Sequence, residues 1–419
     1  MTQLKAAAAT REIAAGPVAP EAPLRAVAVA LESGDTRLCL ACTDSMVVPE
    51  DVLARVASQA PAANLLLTAT HTHHAPCTID ILGASRDAAF TAALEAALLE
   101  AITEAIQALD APGAEAELTF AQSQEATVGQ NSRYLLRDGT IAWYNYPWED
   151  VVRPTGPYDP DLPVIALRRP SGERVCTIFS HSVHNIGALT QGAISPGMLG
   201  LAAQEIERRH GGLALFLPGA FGSTHNTSAF GTNTNTRAIG TTECIHRIVA
   251  AVEWGLDHAE GPRASSSQPL LTALRRPFAY RLREFDEAAE EAAVRYWSET
   301  YTPQNPEANQ SVFRAMRAQM APTAGQQRET SLTAMRLGDA ALVALPGEIF
   351  AALTLEIRRR SPFRNTYVIG LANGTLGYVG DRPSYDLGGY QLWAGQHSIS
   401  APGTGEAMVE QALAMLSAL

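Results

Sequence analysis

Two groups of histidines follow apolar segments and are the residues best suited to chemistry. The first group, Thr70–His74, reads THTHH and comes directly after the apolar segment Leu65–Ala69. If the chain stays extended there, His71 and His73 share one face, because side chains of a strand alternate with a period of two. Two imidazoles on one face suit a metal ion, or a ligand beside a general base. Histidines of a polar loop remain the open alternative, because an H-x-H pattern alone is weak.

The second group lies at the end of the apolar segment Val175–Phe179. The residues that follow, Ser180–Asn185, contain both His181 and His184. Both groups therefore lie just beyond predicted strands, where α/β proteins usually place their sites. Counting from the turn at Gly172 favours His184 over His181 as the functional histidine, and a bulge of one residue would reverse this choice.

A metal site of this kind needs further ligands from elsewhere in the chain. Zinc takes three or four nitrogen, oxygen or sulfur ligands and keeps one position open in catalytic sites. Glu348 is the candidate carboxylate, because it follows the predicted strand Ala340–Ala344 at a strand-to-helix turn. A first-turn glutamate that only favours the helix dipole is the alternative interpretation. The glycine-rich turn Leu217–Asn226 is a further candidate, because its backbone N–H groups could reach a substrate oxyanion.

Taken together, these blocks resemble the neutral/alkaline (non-lysosomal) ceramidase family, and specifically its catalytic domain. The family pattern A-T-H-T-H-S-G-P is matched by Ala69–Pro76, and the family's L-P-G-E is present at Leu345–Glu348. Its A-[IC]-H is matched more loosely by Ser182–His184, and its G-L-x-N-x-x-x-x-Y is matched by Gly370–Tyr378. A downstream Y-x(6)-Y is echoed by a tyrosine at Tyr385. The blocks occur in the family's order and span nearly the whole chain, which makes the resemblance specific.

The resemblance implies a hydrolase with a single catalytic zinc ion per chain. Its ligands would be His71, His184, Glu348 and Tyr378, and His73 would act on the substrate or on the tetrahedral oxyanion without binding the metal. Zinc with an open position lowers the pKa of bound water to roughly 7 and polarises a carbonyl group. The implied reaction is the cleavage of a C–N amide bond. Ester or lactone hydrolysis is one alternative, and an inactive protein that only binds zinc or a ligand is the other.

One loop departs from the family pattern. The family's G-D-x-S-P-N is one residue shorter here, at Gly222–Asn226, and Ser223 and His225 hold its Asp and Ser positions. We therefore expect a small or medium-sized soluble substrate rather than ceramide itself. His225 could protonate an amine leaving group, which favours an amide over an ester. The chain ends at Leu419 without the family's C-terminal immunoglobulin-like domain and shows no secretion signal, which agrees with this expectation.

The composition limits the binding partners and the cellular location that we expect for this protein. A net charge of -12 repels phosphate backbones and anionic membranes, so we expect neither nucleic acid nor a stable membrane association. The five cysteines are odd in number and scattered, which predicts a cytoplasmic protein without a disulfide framework. Cys39 and Cys42 are expected on opposite faces of a buried strand. A small-molecule substrate is the expected partner, and a homo-oligomer remains open.

The apolar pattern predicts an α/β fold with mixed β-sheets flanked by helices, in a single domain over residues 1–419. Besides the strands already named, strands are predicted at Leu24–Leu31, Thr36–Thr43, Ala116–Ala121, Leu162–Leu167, Ala214–Leu217 and Thr366–Gly370. Helices are predicted at Pro49–Ser58, Arg86–Leu109, Leu201–His210, Arg237–Gly255, Glu284–Glu299, Phe350–Arg360 and Glu406–Leu416. Ala264–Leu270 is the best linker candidate, and no sequence repeat is visible. The aromatic run Trp143–Trp148 is predicted either to line a pocket or interface, or to cap the core.

Overall fold

A computed structural model describes residues 3–142, 146–226, 240–262 and 270–419 of the chain. Its strands are β1 Leu4–Glu12, β2 Arg25–Ser33, β3 Thr36–Thr43, β4 Leu65–Ala69, β5 Glu117–Gln124, β6 Gly129–Asn131, β7 Tyr134–Leu136, β8 Ile141–Ala142, β9 Val151–Pro154, β10 Asp161–Arg168, β11 Arg174–His181, β12 Leu213–Pro218, β13 Thr224–Asn226, β14 Leu271–Arg281, β15 Gln327–Leu337, β16 Ala340–Ala344, β17 Glu348–Ile349, β18 Asn365–Ile369 and β19 Tyr378–Val379. Its α-helices are α1 Glu50–Gln59, α2 Ala88–Ala108, α3 Gly197–His210, α4 Thr241–Asp257, α5 Glu287–Tyr301, α6 Pro306–Met320, α7 Ala351–Arg360, α8 Arg382–Leu387 and α9 Thr404–Leu416.

Three four-stranded sheets carry the fold, and each is connected in the same way. Three strands pair in antiparallel order, and a helix then leads to a fourth strand that pairs in parallel with the third. The first sheet uses β1 to β4 with α1, the second uses β5, β10, β11 and β12 with α3, and the third uses β14, β15, β16 and β18 with α7. The helix is required because parallel neighbours need a crossover connection. The chain therefore contains three copies of one topology, although its sequence shows no repeat.

One face of each sheet packs into a shared core, and the other face is covered by helices. Val29, Ile165 and Leu342, one from each sheet, belong to the same buried cluster. The outer faces pack against α1 and α2, against α3 and α4, and against α7 and α9 respectively. Cys39 lies on the outer face of β3 and Cys42 lies in the shared core, as the strand alternation predicted. Mixed sheets flanked by helices are thus confirmed.

Some elements differ from the sequence predictions for local reasons. β1 is rich in alanine and was not predicted, but all nine of its residues pair with β2 and this pairing overrides helix propensity. α2 begins at Ala88 rather than at Arg86, because the Asp87 carboxylate accepts a hydrogen bond from the Phe90 N–H and caps the helix. Helix α6 and strand β15 were also missed.

Part of the predicted linker and of the aromatic run lies outside the described residues, namely 264–269 and 143–145. Within the described residues, Tyr146 is buried against Tyr134 at 5.5 Å between ring centroids, and Trp148 lies 5.7 Å from the same ring. These two rings therefore cap the core. The described helices include none that is both long and apolar enough to cross a bilayer.

The turn Gly370–Asn373, directly after β18, joins all three sheets. Its four N–H groups donate in sequence to the carbonyl oxygens of Pro218, Gly347, Leu345 and Leu67, at 2.8–3.0 Å. The Asn373 side chain also accepts from the Leu67 N–H at 2.9 Å and donates to the Leu65 carbonyl at 3.0 Å. The amide group therefore takes the place of a neighbouring strand along the free edge of β4. The positive φ of 57° at Asn373 suits asparagine better than most residues.

We predict that Asn373→Ala lowers the free energy of unfolding by about 2–4 kcal/mol, because it leaves a buried N–H and a buried carbonyl of β4 without partners. Urea unfolding followed by circular dichroism measures this change. Asn305→Ala is the matched control, because Asn305 is exposed and makes no side-chain cap hydrogen bond, and it should change stability by less than about 0.5 kcal/mol. Equal effects of the two substitutions would contradict the role assigned to Asn373.

Candidate metal centre

His71 lies just beyond β4 and is held in one tautomer by the backbone. Its Nδ1–H donates to the Met46 carbonyl at 2.8 Å, so its Nε2 carries a lone pair. Burial, with a smaller effect from His184, lowers the pKa of His71 to about 3, so the ring is neutral at neutral pH. The residue has a φ of 59°, and the strand ends at Ala69. The condition under which His71 and His73 would share a strand face, an extended chain through His71, is therefore not met.

His184 reaches the same point from the second sheet. Its Nδ1–H donates to the Thr224 carbonyl at 2.6 Å, which again leaves a lone pair on Nε2. The rings of His71 and His184 lie 4.9 Å apart. His181 points elsewhere: its Nε2 lies 3.1 Å from the Tyr158 hydroxyl and 3.7 Å from the Glu125 carboxylate. The structure thus brings His184, and not His181, beside His71.

Glu348 places a carboxylate against both of these nitrogen atoms. Its Oε2 lies 3.6 Å from His71 Nε2 and 3.4 Å from His184 Nε2. This oxygen is buried and has no hydrogen-bond partner within the described residues. Two imidazole nitrogen atoms and a carboxylate oxygen therefore share one buried space. A cation satisfies all three at once, and the donor set of imidazole and carboxylate fits zinc.

Tyr378 completes the set of four predicted ligands. The parallel pair of β17 and β19 places Tyr378 directly opposite Glu348, and the Tyr378 hydroxyl lies 3.4 Å from His184 Nε2. Burial, together with the Glu348 carboxylate, raises the pKa of Tyr378 well above its ordinary value. Without a cation the phenol therefore keeps its proton, and a bound cation would counter both effects.

His73 lies at the open side of the same group. Its Nε2 is 3.2 Å from His71 Nε2, and the two rings meet edge to face at 4.8 Å. The ligating atoms of His71, His73 and His184 all lie within 4.8 Å of one another, so these three residues by themselves can hold a metal ion. The His73 side chain is exposed, whereas His71 and His184 are buried. Surrounding protein and the two neighbouring imidazoles lower the pKa of His73 well below its ordinary value.

His225 lies on β13, next to the Thr224 carbonyl that holds His184. Its Nδ1–H donates to the Asn226 carbonyl at 2.7 Å, and burial lowers its pKa to about 4. The neutral ring therefore presents an unprotonated Nε2, which must accept a proton before it can donate one. The sequence pattern identified His225 as a candidate, but it did not indicate which ring nitrogen carries the proton.

Four N–H groups of the glycine-rich turn are already used within the protein. The N–H groups of Gly219, Ala220, Gly222 and Thr224 all donate to other groups of the protein. Gly222 is instead required by close packing, because a Cβ there would collide with the Glu348 carbonyl. The turn therefore helps to position Glu348, and these four N–H groups are not free to bind an oxyanion.

Aromatic rings that sequence analysis did not assign surround the centre. Phe221 packs against His71 at 4.7 Å and against His184 at 5.1 Å between ring centroids. Tyr390 lies 5.9 Å from Tyr378, on the far side of that ring. The G-G-Y sequence that ends at Tyr390 was a usable signal, whereas nothing in the pattern around Phe221 distinguished it. Tyr385 packs against the buried cluster that contains Tyr378, and its hydroxyl donates to the Ser400 carbonyl at 3.2 Å.

Comparison with known proteins gives matches among solved structures. No protein-family model matches the chain, and no curated protein does. A structure described as a ceramidase complexed with C2 matches with a TM-score of 0.71 and 17% identity, over 100% of this chain and 76% of that one. The neutral ceramidase from Pseudomonas aeruginosa matches with a TM-score of 0.69 and 17% identity, over 100% of this chain and 75% of that one. The structural neighbours of this chain are neutral ceramidases, as the sequence resemblance predicted, and the chain has their fold.

Proposed function

We propose that this protein is a zinc-dependent hydrolase that cleaves a C–N amide bond. One zinc ion per chain is held by His71, His184, Glu348 and Tyr378. The observation that carries the proposal is the buried Glu348 oxygen, which has no partner in the described structure and faces two imidazole lone pairs. An uncompensated carboxylate in a buried position costs several kcal/mol, of the order of 3–5, and a cation removes that cost.

The metal site is preorganised by hydrogen bonds within the protein. The Met46 and Thr224 carbonyls fix the tautomers of His71 and His184, so both Nε2 lone pairs point inward. When bound, zinc supplies Lewis acidity and lowers the pKa of water to about 7. Phe221 packs on both imidazoles and limits water around them, which strengthens electrostatic interactions in the centre.

His73 is proposed to act on the substrate and not on the metal. It is the exposed member of the three clustered histidines, and its low pKa keeps it neutral near pH 7. A neutral imidazole can donate one hydrogen bond to an oxygen that gains negative charge in the transition state. His225 is proposed as the proton carrier for the amine leaving group, by accepting a proton on Nε2 and then donating it.

The substrate is proposed to be a small or medium-sized amide. Ceramidases, the proteins with which this chain shares its fold, are named for ceramide. In this chain the loop Gly222–Asn226 is shorter than the family pattern, and His225 lies within it beside the candidate centre. Ester or lactone hydrolysis is the alternative reaction. Cytoplasmic location, the single domain and the possible homo-oligomer stay predictions from the sequence.

The first prediction of the proposed function concerns metal content. Purified protein should contain one zinc ion per chain, because the buried donors converge on a single point. Inductively coupled plasma mass spectrometry, with protein concentration from amino-acid analysis, measures the ratio. Glu348→Gln should reduce zinc content and raise the apparent dissociation constant at least about tenfold. Two metal ions per chain, or none after expression with added zinc, would show that the proposed centre is wrong.

A second prediction concerns the substrate. Zinc-loaded protein should release amines from short N-acyl compounds, measured with a fluorogenic amine reagent, and matched esters serve as the comparison. Glu348→Gln protein is the background control. Efficient turnover of long-chain ceramide in detergent without turnover of soluble amides would contradict the substrate class. Turnover of esters alone would establish the alternative reaction.

A third prediction separates the histidines. His184→Ala should lose both zinc and activity, because it removes a metal ligand. His73→Ala should keep its zinc and lower kcat about a hundredfold or more, the usual effect of losing a hydrogen-bond donor to the transition state. His246→Ala, on the exposed face of α4, is the matched control and should change neither. Loss of zinc in His73→Ala would make His73 a ligand.

A further inference from the structure

A second cavity lies away from the candidate metal centre, between the edges of two sheets. Its volume is about 610 Å³, and its walls come mainly from β5, the end of α4 and the residues around β18. Both β5 and β18 are edge strands of their sheets. The cavity is at the Asn365 end of β18, and the turn toward the metal centre follows the other end, roughly 16 Å away for a five-residue strand. A cavity of this size suits a drug-sized ligand.

Arg336 brings a buried positive charge to this cavity. Its side chain belongs to a residue that is only 7% exposed, on strand β15. Its Nε–H donates to the Gly338 carbonyl at 2.9 Å, and its guanidinium lies over the Phe363 ring at 5.5 Å. The two terminal amino groups have no hydrogen-bond or ion-pair partner among the described residues and retain access to the cavity. A buried guanidinium without an anion is costly, so this position favours an anionic ligand.

The other charged groups of the cavity leave Arg336 without a counter-ion. Arg358 is paired with Asp159 at 2.8 Å and with Asp161. Asp339 and Glu260 also line the cavity, but within the described ranges neither carboxylate forms an ion pair with Arg336. Arg336 therefore offers its two amino groups to a carboxylate in the fork-like geometry that arginine favours.

Aromatic side chains form the remaining walls. Phe120 and Tyr367 lie 5.8 Å apart and tilted by 36°, one from each sheet. Trp254 is 49% exposed although it is a large apolar residue, and it stacks on His258 at 4.1 Å. These rings lie in the same cavity as the Arg336 guanidinium, which has no ion-pair partner among the described residues, and together they match a ligand with a flat apolar body and one negative charge.

We propose that this cavity is a second binding site, for a monocarboxylate with an aromatic or similarly flat apolar body. The carboxylate pairs with the two amino groups of Arg336, and the body packs among Phe120, Phe363 and Trp254. The site shares no residue with the candidate metal centre, so its test does not depend on the hydrolase proposal.

The experiment is isothermal titration calorimetry of the full-length protein with 2-naphthoate. The neutral compound 2-acetylnaphthalene, which has nearly the same shape, tests the need for charge. We expect 2-naphthoate to bind one per chain and the ketone to bind at least about tenfold more weakly. Arg336→Met should weaken 2-naphthoate by a similar factor.

Two further variants keep the test decisive. Trp254→Ala alters an exposed residue and should weaken 2-naphthoate several-fold even if Arg336→Met fails to fold. Arg276→Met, at an exposed position of β14, is the matched control and should leave binding unchanged. Unchanged binding in both Arg336→Met and Trp254→Ala would overturn the proposal. Loss of binding in His184→Ala with retention in Arg336→Met would place the carboxylate at the metal centre and would also overturn it.

Discussion

The four N–H groups of the turn Gly370–Asn373 donate to carbonyl groups in all three sheets, and the candidate centre depends on this junction. The hydrogen bonds to Leu67 and Pro218 hold the ends of β4 and β12 beside the third sheet. The His71 and His184 rings follow strands of two different sheets, and Glu348 follows a strand of the third. A shift of one sheet by a single residue, about 3.3 Å, would separate the imidazole and carboxylate groups beyond the reach of one ion.

The repeated topology explains why the functional groups meet at this junction. Each of the three sheets ends in a parallel pair, so the carboxyl ends of its third and fourth strands lie side by side. Loops that follow parallel strands are a general location for ligand sites, since side chains there project beyond the sheet. Here the carboxyl ends of the three parallel strand pairs face one another. His71, His184 and Glu348 are therefore adjacent in space although they lie far apart in sequence.

The electrostatics of the candidate centre favour a bound cation. Both imidazoles donate through Nδ1 to backbone carbonyls, and the buried Glu348 oxygen has no partner within the described part of the chain. The cavity around Arg336 has the opposite character, because this guanidinium has no counter-ion among the residues that the structure describes. Each site therefore has an uncompensated buried charge, and the sign of that charge indicates the class of ligand.

The sequence by itself determined the fold class and identified most of the residues that meet at the candidate metal centre. His71, His73, Glu348 and Tyr378 could be found because short motifs follow recognisable apolar strands, and local pattern governs both features. Local pattern could not decide between His181 and His184, because the chain leaves the extended conformation after β11 and only tertiary contacts show which ring turns inward. It also could not show that four N–H groups of the glycine-rich turn are already used, or that Arg336 has no counter-ion among the described residues. Those facts depend on which atoms of distant segments approach one another, and the packing of the three sheets alone decides that.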